Sequence, residues 1–294
     1  MKKSIFALFT VVILVLSLCS CSGTSKDSTF SVRFIDVGQG DSALIECDGQ
    51  YMLIDGGTKT AGDKIYNVLQ EEDVQELAIL AVSHLHEDHY GGLSKALTYS
   101  SSIGLTISNK TENSNKAFKE FEHQLRINGS KIKVPAPRDT YKLGSATVEV
   151  LDVSNDEDND SLVLLIGYED TRFLFTGDIE GEAQSRLANI LLEKSNELDK
   201  TINLIKMPHH GAYNSDPNLP NNASDNSLYF LLNSYNTKYA VISVGAGNSY
   251  GHPHRETIDM LNNKKSNIKM YRTDKNGDIL VRSNGNELSI ETSK

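Results

Sequence analysis

Three histidines and two acids fall within six residues of this chain, in the run His84-Leu85-His86-Glu87-Asp88-His89. Imidazole nitrogens and carboxylate oxygens are the usual donors to zinc and similar divalent ions. In extended chain, residues two apart project to the same side, so His84 and His86 can share one ion. Asp88 and His89, one turn further on, can face a second ion beside it. Gly91-Gly92 would let the backbone bend sharply as a helix begins. A histidine-rich surface loop is the bland alternative, but three of the chain's eight histidines gathered at a strand end argue against it.

The strand in question is Leu77–Ser83, a continuous apolar run of strand length, which signals burial on both faces. Open α/β sheets carry ligand sites at the tips of such strands. Further strands are expected at Val32–Val37, Ala43–Cys47 and Tyr51–Asp55, the last two joined by the hairpin signal Asp48-Gly49. Others follow at Thr147–Asp152, Leu162–Tyr168, Arg172–Thr176, Ile202–Met207 and Tyr239–Val244. Helices are expected at Lys64–Glu71, Lys116–Arg126, Glu180–Leu192 and Glu256–Leu261. The C-terminal part reads as short strands with Asn276-Gly277 and Asn284-Gly285 as turns. Strands and helices mixed in two similar halves predict sheets sandwiched between helix layers, an α/β class.

The 294 residues are 38% hydrophobic and 23% charged, a globular composition. Met1-Lys2-Lys3 followed by the apolar stretch Ile5–Leu18 reads as a signal peptide, too short for a comfortable transmembrane helix. Leu18-Cys19-Ser20-Cys21 resembles a bacterial lipobox with Cys21 as the acylated residue. Residues 1–21 are thus expected to be a lipoprotein signal ending at Cys21, 22–30 a polar tether, and 31–294 a single domain. More than one acyl chain would hold the domain stably at the membrane, in an extracytoplasmic position. Cys47 has no mature partner but the lipidated cysteine, which excludes a disulfide framework, and reads as a small core residue. The formal net charge is −10, nearer −12 once Lys2 and Lys3 leave with the signal. Such a surface repels nucleic acid and anionic lipid unless cations cluster, and Lys110, Lys206 and Arg255 look scattered.

Ser83-His84-Leu85-His86-Glu87-Asp88-His89-Tyr90-Gly91-Gly92 resembles the metal-binding signature of the metallo-β-lactamase superfamily. Further motifs narrow the resemblance to the hydrolase domain of the ComEC competence protein and its free-standing relatives: Phe34-Ile35-Asp36-Val37-Gly38-Gln39-Gly40-Asp41-Ser42, Ile54-Asp55-Gly56-Gly57, Ser161-Leu162-Val163-Leu164, Phe175-Thr176-Gly177-Asp178, Lys206-Met207-Pro208-His209-His210-Gly211 and Asn248-Ser249-Tyr250-Gly251-His252-Pro253. They occur in the family order over nearly all of residues 31–283.

The resemblance implies an αββα sandwich with two divalent ions at one edge, zinc with manganese as the alternative. It gives His84, His86, Asp88, His89, Asp178 and His209 as ligands, with Asp178 as the carboxylate bridging both ions. His210 is the alternative to His209. Asp55 is expected to support the ligand loop by hydrogen bonding. Asp88 and His252 are the expected catalytic residues, the second as proton donor or substrate contact. Many superfamily members carry a further histidine between the first cluster and the bridging aspartate. Here only His123 lies there, and Asn159-Asp160-Ser161 resembles the turn of the ComEC-like subgroup, making Asn159 and Ser161 candidate metal or substrate contacts.

The resulting expectation is an extracytoplasmic metal-dependent hydrolase acting on a phosphodiester, either nucleic acid or a cell-envelope unit. A lactonase or β-lactamase-type C–O or C–N hydrolase is the alternative, mildly disfavoured by the missing histidine. An anchored, non-catalytic binding module is a third reading, disfavoured by the nearly complete ligand set. No protein partner is expected.

Overall fold

A computed structural model describes residues 29–154, 161–199, 201–213, 232, 235–263 and 267–294. The signal segment, Cys21, residues 22–28 of the tether and Asn159 lie outside the described residues, and Phe30, expected in the tether, already belongs to the first strand. The chain first lays down β1 (Phe30–Phe34), β2 (Ala43–Cys47), β3 (Gln50–Ile54), β4 (Glu76–Val82), β5 (Ser102–Ser108) and β6 (Ile132–Lys133). It crosses to a second sheet for β7 (Thr140–Leu143), β8 (Ala146–Val153), β9 (Leu162–Tyr168), β10 (Thr171–Phe175), β11 (Leu204–Lys206), β12 (Tyr239–Ile242) and β13 (Lys269–Arg272). It returns to the first for β14 (Ile279–Ser283) and β15 (Leu288–Thr292). The strand orders are β15-β14-β1-β2-β3-β4-β5-β6 and β13-β12-β11-β10-β9-β8-β7.

Side-chain alternation explains why the two sheets face each other. Leu162, Leu164, Ile166 and Tyr168 of β9 point into the core between the sheets, whereas Val163 and Leu165 face the other way. A strand apolar on both faces must be covered on both. Phe30 and Phe34 of β1 meet the second sheet directly: Phe30 lies 5.0 Å from Tyr168 and 4.8 Å from Phe173, and Phe34 lies 5.8 Å from Phe175.

Helices cover the outer faces. On the first sheet lie α1 (Gly62–Glu71), α2 (Glu87–Tyr90), α3 (Leu93–Ala96) and α4 (Lys116–Ile127), burying Ile65, Leu69, Leu93, Phe118, Phe121 and Leu125. The apolar positions of α4 recur with helical spacing. Its start is fixed by Asn115 Oδ1, which accepts the Phe118 amide at 2.7 Å. On the second sheet α5 (Gly181–Glu193) buries Ala183, Leu187 and Leu191, and α6 (Arg255–Leu261) adds Leu261. The expected αββα architecture is the observed one, and Cys47 is buried in the core between the sheets.

Several expected boundaries shift. The first strand ends at Phe34 rather than Val37, because Asp36–Ser42 leaves the sheet to approach the site. The strand expected at Ile202–Met207 is confined to β11. Asp48 and Gly49 both have positive φ, 55° and 80°, as the two-residue hairpin requires. Asn276-Gly277 closes a one-turn helix, Thr273–Asn276, rather than a hairpin. No helix among the described residues is long and apolar enough to cross a membrane.

Candidate metal centre

The ends of β4, β10, β11 and β12 converge on one edge of the sandwich. β4 delivers Ser83 and His84, and β10 leads through Gly177 to Asp178. Ser161, immediately before β9, accepts the Asp178 amide on its Oγ at 2.8 Å. Gly177 has φ 55°, and a Cβ there would collide with Ser161, so the turn that aims Asp178 needs glycine. Gly91 and Gly92 serve differently from the expected bend. Gly91 has a helical φ of −57° and Gly92 one of −80°, and a Cβ on Gly92 would strike the Gly56 carbonyl. These glycines allow close approach of the ligand loop to the loop after β3.

After β11, Pro208 is followed by His209 and His210 at φ 45° and 54°. Left-handed backbone at two successive non-glycine residues is costly, on the order of 1–2 kcal/mol each, and persists here because the surrounding packing holds it. Its effect is to turn His210 inward. His210 is 1% exposed and receives its orientation from the Ser243 carbonyl, 3.0 Å from Nδ1.

Two donor groups result, meeting at one oxygen. His84 Nε2 lies 3.0 Å from His86 Nδ1 and 4.0 Å from Asp178 Oδ2. Asp178 Oδ2 also lies 3.1 Å from His89 Nε2 and 3.5 Å from His210 Nε2. Asp88 Oδ2 lies 3.3 Å from His210 Nε2 and 4.0 Å from His89 Nε2. Ligands held about 2.0–2.2 Å from one ion in a tetrahedron stand roughly 3.3–3.6 Å from each other. Asp88, His89, Asp178 and His210 approximate that spacing, and their donor atoms all lie within 4.8 Å of one another. The residues therefore fit a divalent ion.

His209, the first-named candidate for the second site, does not hold that position. Its Nε2 is 3.9 Å from Asp178 Oδ2, its side chain is 36% exposed, and its Nδ1 pairs with Glu180. The left-handed turn gives the place to His210. Asp55 accepts the Ser83 amide at 2.7 Å and pairs with His89 Nδ1 at 3.0 Å, orienting that imidazole with Nε2 toward Asp178. Ser161 supports the Asp178 backbone, and His123 is exposed on α4.

Two residues the sequence reading did not assign lie beneath the ligands. Lys206 is 3% exposed, not a scattered surface cation. Its ammonium pairs with Asp41, donates to the Gly177 carbonyl at 3.3 Å, and lies 3.7 Å from Asp178 Oδ1. Asp41 Oδ1 in turn lies 3.4 Å from His210 Nδ1. Both residues belong to motifs quoted for the resemblance. A lysine ending a strand directed into an acidic site was the available signal.

Burial alone would raise the Asp178 carboxyl, but His89 and His210 hold it far below its usual range. Asp88 is likewise held low by His210 and His89 against its burial. Burial would lower the two imidazoles, yet Asp178, joined by Asp55 at His89 and by Asp41 at His210, outweighs it. His210 is held up at about 9. His84 goes the other way, pushed far down by burial and by His89. Ionised carboxylates around histidine nitrogens are what a divalent cation meets on binding, displacing the protons.

His252 stands beside this cluster, its ring 5.3 Å from that of His209 and 6.3 Å from that of His210. Its Nδ1 is buried without a hydrogen-bond partner. Burial, then His209 and His254, lower it to about 4, so it is a neutral imidazole near pH 7.

Residues 35–217 match the model of the metallo-β-lactamase superfamily. The chain is 24% identical over 273 residues to ComE operon protein 3 of Bacillus subtilis, covering 85% of this chain and 33% of that protein. It is 25% identical over 268 residues to Recombination protein 2 of Haemophilus influenzae, covering 89% and 30%. It thus spans about a third of the length of these curated relatives. Among solved structures, the metallo-β-lactamase fold protein YhfI of Bacillus subtilis superposes with a TM-score of 0.55 at 9% identity, over 86% of this chain and all of that one. A putative metal-dependent hydrolase of Parabacteroides distasonis superposes with a TM-score of 0.51 at 16% identity, over 84% and 94%. The family match covers more than half of the sequence and the sandwich carries the matching fold, so this chain belongs to the metallo-β-lactamase superfamily, with competence proteins among its sequence relatives.

Proposed function

We propose that the chain is a metal-dependent phosphodiesterase held outside the cytoplasm by a lipid on Cys21. The observation that carries the reading is the sharing of Asp178 Oδ2 between two donor groups, His84 with His86 on one side and Asp88, His89 and His210 on the other. Two divalent ions, zinc or manganese, would supply a bound water of lowered pKa and positive charge beside the reacting oxygens. The chain's own residues do the rest. Asp55 fixes the tautomer and direction of His89, Ser161 fixes the Asp178 turn, and the Lys206–Asp41 pair holds the far side of Asp178 and His210. Asp88, 34% exposed in its side chain, is placed to orient the attacking water by accepting its hydrogen bond. His252 is placed to contact a substrate oxygen.

The phosphodiester class is supported by the two-site arrangement, which suits in-line phosphoryl displacement, and by the competence relatives. The lack of a histidine directed at the first site between His89 and Asp178, among the described residues, counts against the lactonase or β-lactamase alternative. The test is elemental analysis of the purified protein followed by turnover of bis(p-nitrophenyl) phosphate, a lactone and a β-lactam. One to two ions per chain and chelator-sensitive phosphodiester cleavage are expected. Cleavage of the lactone or β-lactam alone would overturn the substrate class.

A further inference from the structure

Tyr250 lies beside the metal centre and packs only one face of its ring against the described residues. It is 66% exposed, the most exposed of four large apolar side chains that face solvent among the described residues, the others being Ile127, Val134 and Leu192. Of these, Tyr250 touches a histidine of the site: its ring stacks on His252 at 5.8 Å with an interplanar angle of 26°. His252 in turn contacts the rings of His209 and His210. One face of a planar ring is thus presented to solvent, two ring contacts from a candidate ligand.

The segment that carries it is held in place. Asn248 Nδ2 donates to the carbonyls of Gly245 at 2.9 Å and His252 at 2.6 Å. Asn248 Oδ1 accepts from the amides of Tyr250 and His252, both at 3.1 Å. Gln39 Oε1 accepts the Gly245 amide at 3.1 Å, tying the segment to the loop that carries Asp41. Four bonds from one side chain therefore fix a five-residue turn whose aromatic ring remains outside. An ordered ring kept in water forgoes the stabilisation of burial, and ordering it in advance removes an entropic cost of binding.

We propose that Tyr250 is a stacking platform for a nucleobase of a nucleic-acid substrate bound at the metal centre. This rests on the phosphodiester reading above. A flat base needs one open aromatic face, which Tyr250 provides. A quaternary ammonium such as choline is recognised by a cage of several aromatic faces, and Tyr250 offers a single one. Stacking also meets the charge constraint. With a net charge of −10, attraction of the phosphate backbone to the surface as a whole is unavailable, whereas base stacking does not depend on it.

The experiment compares the full chain, metal-loaded, with its Tyr250→Ala and Tyr250→Phe variants. Each is titrated calorimetrically with a phosphorothioate thymidine decamer and with the same backbone lacking bases. The wild type and Tyr250→Phe should bind the thymidine decamer more tightly by about 5- to 150-fold, the worth of one stacked base. Tyr250→Ala should lose that preference. Equal affinity for the two oligomers in the wild type, binding of neither, or a base preference that survives Tyr250→Ala would each overturn the platform. Failure of the underlying reading looks different, because a base preference that depends on Tyr250 can persist in a protein that turns over no phosphodiester.

Discussion

Lys206 and Asp178 meet through the oxygen that the candidate ligands do not use. Lys206 Nζ is 3.7 Å from Asp178 Oδ1, while His84, His89, His209 and His210 all approach Oδ2. The two oxygens have separate tasks, one facing the donor cluster and one facing a fixed cation. That cation also holds Asp41, whose other oxygen faces His210. A single buried ammonium thereby braces two ligands that come from different strands.

Lys206→Met should destabilise the fold by about 3–5 kcal/mol, because removing one partner leaves Asp41 as an uncompensated buried charge. The double variant Lys206→Met/Asp41→Asn should regain much of that loss, since it removes both charges. Denaturant unfolding of the two single variants and the double variant measures the coupling. Additive losses would show that the pair is not a unit.

Metal content separates the ligands from their neighbours. Asp178→Ala should lose all bound metal, because its Oδ2 serves both groups. His210→Ala should lose one ion, and His209→Ala should keep its full complement. Elemental analysis of the three variants decides this. Full occupancy in Asp178→Ala would remove the bridge, and metal loss in His209→Ala alone would restore the assignment made from sequence.

The choice between His209 and His210 is not legible in the sequence, whereas much of the surrounding fold is. The apolar runs at Leu162–Tyr168 and Leu77–Ser83 reveal strands because both faces are buried, and the His84–His89 run reveals its own metal chemistry through residue type and spacing. His209 and His210 are adjacent and chemically identical. Only the left-handed backbone at both residues decides which faces inward, and that conformation is imposed by packing rather than by local preference. The burial of Lys206 is not legible in the sequence because lysine is rarely buried unpaired, and its partner Asp41 lies far away along the chain. β5 is not legible as a strand because Ser102–Ser108 mixes serine, threonine and glycine with its apolar residues.

Asp278 should give the fold an acid-sensitive joint. It accepts from Lys64 at 2.6 Å, from Arg33 at 3.1 Å and from the Asp36 amide at 2.9 Å, linking α1, β1 and β14. Burial would raise its pKa, but Lys64 and the Asp36 amide bring it below 3.8. A depressed pKa in the folded state stabilises fully above 3.8, and that stabilisation is lost as pH falls through the folded value. Asp278→Asn should cost about 1–3 kcal/mol at pH 7, with the difference from wild type vanishing in strong acid. Equal stability of the two proteins at pH 7 would refute the role.

Anchoring is tested at the cysteines. Cys21→Ser should move the protein from the membrane fraction to the soluble fraction, while Cys19→Ser should leave it with the membrane, because Leu18 would sit at the cleavage position if Cys19 were acylated. A Cys21→Ser protein that still sediments with membrane would sink the lipid anchor.

The last prediction divides metal holding from substrate handling. His252 lies within ring contact of His209 and His210, yet it is absent from the group of donor atoms that converge on Asp178. At a pKa of about 4 it accepts a hydrogen bond near neutrality rather than donating a proton from a charged ring. Its part is then to accept a hydrogen bond from a hydroxyl or water at the substrate and so orient it. His252→Ala should keep its metal and lose on the order of 10²–10⁴-fold in rate, the range for acid–base groups. His89→Ala should lose metal and activity together. His252→Gln retains a hydrogen-bonding group without titrating and should recover part of the rate, whereas no recovery would count against orientation by hydrogen bonding. Loss of metal in His252→Ala would make His252 a ligand after all, filling the position that the histidine absent between His89 and Asp178 leaves open.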